Sequence, residues 1–165
     1  KVGSILVFKG NGFIFELLSR LLKLFEPSWN RWGWHVAFVC GEKIDTWLVC
    51  EAVGSGVHVV PLNKALGFDK GFRVYNWFDK TPKQGKVNQF VTAHLNKHYD
   101  VAIYLWTTAQ YLFRHLWNRR IPRLLDDRFT CWELVWEFAE DMGKPLNSRY
   151  DCPIITDLIK AMKES

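Results

Sequence analysis

Thr130-Cys131-Trp132-Glu133 constrains this 165-residue chain more than any other stretch. A threonine with a glutamate three residues on, followed by an apolar run, is the pattern of a helix-starting capping box, with Thr130 at the N-cap and Glu133 at N3. Leu134, Val135, Phe138 and Met142 then recur at helical spacing on one stripe, and Glu133, Glu137, Glu140 and Asp141 are expected on the other side. Gly143 followed by Pro145 supplies the stop. Cys131 is therefore expected at the first helical position. There, unpaired backbone N–H groups and the positive end of the helix dipole face its sulfur and favour the thiolate. A sulfur so placed needs a base, which must come from elsewhere in the chain.

The N-terminal half reads as strands. Residues 4–8 form a short apolar run between Gly3 and Gly10, and residues 34–40, 46–53 and 56–62 follow as further strand-like runs. Gly54-Ser55-Gly56 makes a tight turn between the last two, and residues 72–77 suit another strand. A hairpin turn over residues 41–45, centred on Lys43, would set His35 directly opposite Glu51. Their Cβ atoms would then stand ~5 Å apart on one face. Glu51 lies between Cys50 and Ala52, and an ionised carboxylate in an apolar strand is costly without a partner. A one-residue slip would send it to the opposite face, so the pairing depends on register. His58, His94, His98 and His115 have no comparable partner set and read as surface positions.

Helical periodicity covers residues 13–25, where Ile14, Leu17, Leu18, Leu21, Leu22 and Phe25 oppose Glu16, Arg20 and Lys23. This stripe suits packing on the core, with peripheral membrane contact as the rival use. Residues 27–33 form a loop carrying Trp29 and Trp32. After Pro82 the stripe Val87, Phe90, Val91, His94, Leu95, His98 predicts another helix, part of residues 102–117 a further one, and residues 155–162 a closing one after a turn at 150–153. No repeat or linker interrupts the chain. The expectation is one α+β domain over residues 1–165, built around a meandering antiparallel sheet.

Composition narrows the function. A chain with 48% hydrophobic and 24% charged residues is globular, not disordered. The net charge of +5 is spread along the chain, densest at Arg114, Arg119, Arg120 and Arg123, and suits a solvated face or an anionic partner. No nucleic-acid-binding motif is present. Cys40, Cys50, Cys131 and Cys152 show neither paired spacing nor Cys/His ligand spacing, which argues against structural zinc. Cys40 and Cys50 read as small buried residues. No run approaches the roughly 18 apolar residues of a membrane span, and no leader pattern opens the sequence, so the reading is of a soluble chain.

The segments Gly3-Ser4-Ile5-Leu6-Val7-Phe8, Trp34-His35-Val36-Ala37-Phe38-Val39 and Glu51-Ala52-Val53-Gly54-Ser55-Gly56-Val57, followed late by Cys131-Trp132-Glu133-Leu134-Val135, resemble the circularly permuted NlpC-type, papain-like cysteine hydrolases, in particular the YiiX-like branch. Tyr99-Asp100, Pro153 and Asp157-Leu158 share the likeness. In ordinary papain-like enzymes the nucleophile helix comes first; here, as in the permuted group, the histidine strand precedes it. The resemblance implies an antiparallel sheet or half-barrel packed against the nucleophile helix. It also implies Cys131 as nucleophile, His35 as base and Glu51 as the residue that orients it. Trp34 and Trp132, beside the base and the nucleophile, are the expected substrate contacts.

The implied reaction is hydrolysis of an amide, in a peptide or cell-wall peptide, through an acyl-enzyme, with no metal or cofactor. The N–H of Cys131 is a candidate oxyanion donor. Two other readings stand at this point: a lipid acyl hydrolase or acyltransferase of the retinol-acyltransferase-like type, for which residues 13–25 would serve, and a non-catalytic binding module on the same fold.

Overall fold

A computed structural model describes residues 1–10, 20, 35–99, 128–144 and 155–164. The helix expected at 13–25 (apart from residue 20), the 27–33 loop, Trp34, the helix within 102–117, the arginine cluster, the 150–153 turn and Cys152 lie outside the described residues.

The predicted strands form one antiparallel sheet: β1 (Ile5–Phe8), β2 (His35–Lys43), β3 (Thr46–Val53), β4 (Gly56–Pro61) and β5 (Phe72–Tyr75). Their order is β4-β3-β2-β1-β5. The meander holds from β1 to β4, but β5 departs from it, returning across the sheet to pair with β1, Phe8 opposite Phe72. Two 3₁₀ turns, Leu62–Lys64 and Phe68–Lys70, carry the chain across. A short parallel pair, β6 (His98–Tyr99) with β7 (Arg128–Phe129), adjoins the sheet.

Helix α1 (Gln84–His94) buries Val87 and Phe90. It ends sooner than the apolar stripe suggests, because Asn96 adopts φ 64° and His98 already belongs to β6. Helix α2 (Cys131–Asp141) starts where the capping box predicts. Its far end closes with Gly143 at φ 86°, the Gly143 N–H donating to Glu140 and the Lys144 N–H to Ala139, a Schellman stop. Helix α3 (Ile155–Glu164) packs Leu158, Ile159 and Met162 into the core.

Alternation along the strands divides the interior. Val36, Phe38, Cys40, Cys50 and Ala52 face α2, and Leu6, Phe8, Ala37, Val39 and Val49 face the other way onto Ala65. Phe138 is the hub on the α2 side: it stacks on Phe38 at 3.8 Å and meets Phe78 and Phe90 edge-on at 5.7 and 5.4 Å. Seven helical residues separate Cys131 from Phe138, ~10.5 Å of rise, and three strand residues separate His35 from Phe38, ~10 Å. With Phe138 over Phe38 and Cys131 acting on His35, α2 runs along β2 in the same direction and the two elements start together.

Candidate active site

Each side chain of the expected triad is placed by a different local device. Cys131 stands at the helix start because Thr130 Oγ1 accepts from the Glu133 N–H at 3.4 Å while Glu133 Oε2 accepts from the Thr130 N–H at 2.8 Å. Thr130 Oγ1 also donates to that carboxylate at 2.8 Å. Glu133 is consequently buried, not on the solvent side with Glu140 and Asp141 where spacing alone put it. The capping box uses this glutamate up.

His35 opens β2 and Glu51 lies on β3, in a register that differs from the expected one. Glu51 stands opposite Ala37, two residues from His35, so the histidine is its diagonal neighbour. The hairpin turns tightly at Ile44-Asp45, pairing Lys43 with Thr46, and Asp45 takes φ 61°. Continued unbroken, that register would set Glu51 opposite Phe38, on the wrong face for His35. One extra residue in β2, Cys40, forms a bulge between Val39 and Gly41 and restores the parity. Gln84, at the start of α1, donates its side-chain amide to the Cys40 carbonyl at 2.7 Å and satisfies the bulge. Nothing in the residue pattern announces this device.

The outcome is an imidazole–carboxylate bond: His35 Nε2 lies 2.8 Å from Glu51 Oε2. The same oxygen accepts the main-chain N–H of Leu66 at 3.1 Å. The Cys131 thiol also acts on this ring and, with Glu51, favours its protonated form. With Nε2 committed to Glu51, Nδ1 is the ring nitrogen left for the sulfur. The three groups are 2% (Cys131), 3% (His35) and 3% (Glu51) exposed. Burial on its own would lower the affinity of His35 for a proton, but its bonds to Cys131 and Glu51 and their charges outweigh burial and raise its pKa from 6.5 to about 9. The other described thiols lack such partners. Burial pushes Cys40 up to about 11, and raises Cys50 as well, with added repulsion from Cys40 and Glu51.

Trp132, expected as a substrate contact, packs into the core beside Cys131. Sequence reasoning missed Phe8, whose ring lies 5.5 Å from that of His35, and the Leu66 amide. A main-chain donor has no signature in the residue pattern, but the pairing of residues 4–8 with the histidine strand could have pointed to Phe8. His94 also departs from a plain surface reading: it is half-buried, donating from Nδ1 to the Phe90 carbonyl at 2.8 Å with Nε2 3.3 Å from Glu137. Among the described residues no three His, Cys, Asp or Glu side chains are grouped to hold a metal ion.

Residues 10–149 match the model of a family described as permuted papain-like amidase enzyme, YaeF/YiiX, C92 family. The chain belongs to that family. The amidase is thus a cysteine peptidase-type hydrolase of permuted papain-like, α+β architecture, and an amide or peptide bond is the class of its substrate. Among curated proteins none matches its sequence. No helix among the described residues is long and apolar enough to cross a membrane.

Proposed function

We propose that the amidase cleaves a peptide or cell-wall peptide amide through an acyl-enzyme on Cys131, with His35 as base and acid and Glu51 as the group that orients it. The observation that carries this reading is the buried His35–Glu51 pair, 2.8 Å apart, with the buried Cys131 thiol acting on the same ring. Each member has an assigned partner, which is the arrangement nucleophilic catalysis needs.

The thiol proton passes to His35 Nδ1, leaving a thiolate beside an imidazolium whose Nε2–H is held by Glu51. The thiolate adds to the carbonyl carbon, and the C=O π electrons move onto oxygen. The N–H of Cys131, at the positive end of α2 and not used by the capping box, serves as one donor to that oxyanion. Loss of one such donor typically costs ~3 kcal/mol of transition-state stabilisation. Collapse of the intermediate breaks the C–N bond, and the imidazolium proton goes to the leaving nitrogen. Neutral His35 then takes a proton from water, whose oxygen attacks the thioester. The acid is released and the thiol restored. A net charge of +5 favours an anionic substrate, such as a peptide rich in free carboxylates.

The test offers the enzyme muropeptides and short acidic peptides, and reads new amino groups together with the mass of the Cys131 peptide after acid quench. The expected result is amine release with a transient acyl adduct on Cys131 alone, both absent in Cys131→Ala. Amine release that survives in Cys131→Ala would overturn the reading.

A further inference from the structure

We infer that the main-chain N–H of Leu66 is a positioning group of this site, fixing the Glu51 carboxylate against the His35 ring. The inference deepens the reading above and rests on it. Glu51 is enclosed by β2, β4 and the segment after β4, and a buried carboxylate must find donors or lose its charge. Oε2 receives two, the His35 ring and the Leu66 amide. With the ring alone, the carboxylate could swing about its own side-chain torsions. A second donor on the same oxygen, from a different element, holds that oxygen in place.

The amide is aimed by a built turn. The Phe68 N–H donates to the Ala65 carbonyl at 3.1 Å, and Gly67 between them has φ 84° and ψ 7°, the third position of a type II turn. Ala65 is buried and anchors the turn in the core below the sheet. A Cβ on Gly67 would lie 3.4 Å from the Cβ of Phe8, and the Phe8 ring in turn packs 5.5 Å from that of His35. The Lys9 N–H donates to the Gly71 carbonyl at 3.0 Å and ties the end of the segment to β1. One stretch of chain thereby supports the orienting acid through a hydrogen bond and the base through Phe8.

The turn also provides a clean way to delete the donor. Proline is favoured at the second position of a type II turn, and Ala65, at φ −63° and ψ 146°, already has the backbone that the residue before a proline prefers. Leu66→Pro therefore removes the N–H and keeps the turn. Leu66→Ala removes the same side chain, 49% exposed, and keeps the N–H.

The probe is iodoacetamide, with the rate of Cys131 alkylation followed across the pH range by mass spectrometry and folding checked by thermal melting. A hydrogen bond to a charged group is worth about tenfold in an equilibrium. Leu66→Pro should alkylate about tenfold more slowly than Leu66→Ala on the acid side of neutrality, its pH profile displaced upward, because a carboxylate held less firmly against the ring stabilises the imidazolium less. Coincident profiles for the two variants would overturn the inference. In the wild type, a Cys131 that reacts no faster than Cys40 or Cys50 would instead overturn the relay itself. Should Leu66→Pro fail to fold, hydrogen exchange of the Leu66 amide decides. Its protection should fall in Glu51→Ala and persist in His35→Ala, and equal protection in the two would sink the inference.

Discussion

Two histidine–glutamate pairs lie among the described residues, and they differ in what the second ring nitrogen does. In the first, His35 Nε2 is 2.8 Å from Glu51, which leaves Nδ1 for the Cys131 thiol that acts on the ring. In the second, His94 Nε2 is 3.3 Å from Glu137, but Nδ1 donates to the Phe90 carbonyl of its own helix. The His94 ring stacks on Phe90 at 4.0 Å and meets Phe129 edge-on at 5.2 Å. Both of its nitrogens are committed to structure, so it has none with which to activate a neighbour. A carboxylate beside an imidazole is thus not enough to make a site; the ring must keep one nitrogen for the reacting group. Both pairs meet α2, one at its first residue and the other at Glu137, and the second braces α1 against the helix that carries the nucleophile.

The contrast breaks most visibly through alanine substitution. His35→Ala should lower amide cleavage by about 10³-fold, the contribution of a positioned acid–base group. His94→Ala, which removes only a partly exposed brace, should stay within about threefold of wild type. Steady-state cleavage assays on both variants check this, and equal losses would erase the distinction between the pairs.

A pH series of unfolding experiments sharpens it. Folded His35 holds its proton up to about pH 9, against 6.5 for the unperturbed group. Folding is therefore favoured fully below the lower value, and that contribution is lost as the pH rises through the higher one. The difference is on the order of 3 kcal/mol. Urea midpoints should fall over this interval in wild type and in His94→Ala, and fall less in Glu51→Gln, where Cys131 alone still favours the charged ring. A flat wild-type curve would mean that Glu51 and Cys131 do not hold the proton on His35.

The smallest effect belongs to the helix start. Thr130→Ala removes the cap of α2 and should cost about 1–2 kcal/mol of unfolding free energy. Cys131 alkylation should slow while the His94–Glu137 pair, nearly two turns further along, remains intact by NMR. Unchanged alkylation would detach the capping box from the reactivity of the sulfur.

What could be read in the residues alone follows the range of the forces involved. The start of α2 was legible because a capping box is closed within four residues, and β3 was read to its ends because its pattern is local. The stop of α1 was not, since the tertiary pairing of His98 overrode a stripe that continued past it. Nor was the place of β5, which pairs with the edge of β1 and not with that of β4, the strand just before it. His35 and Glu51 were placed on a common face through a register two residues off the observed one. The parity survived only because the tighter turn at Ile44-Asp45 is offset by the bulge at Cys40.

By itself, then, the sequence determined the helix that presents Cys131, the strands that carry His35 and Glu51, and the permuted order in which they come. Tertiary structure alone decided that the histidine strand bulges at Cys40, that Phe8 packs against the imidazole, and that the Leu66 amide reaches the carboxylate. The reason is physical. Capping and alternation are short-range consequences of side-chain chemistry. A bulge is fixed by the fit of one strand to its neighbour, and a main-chain donor is the same in every residue until the fold aims it.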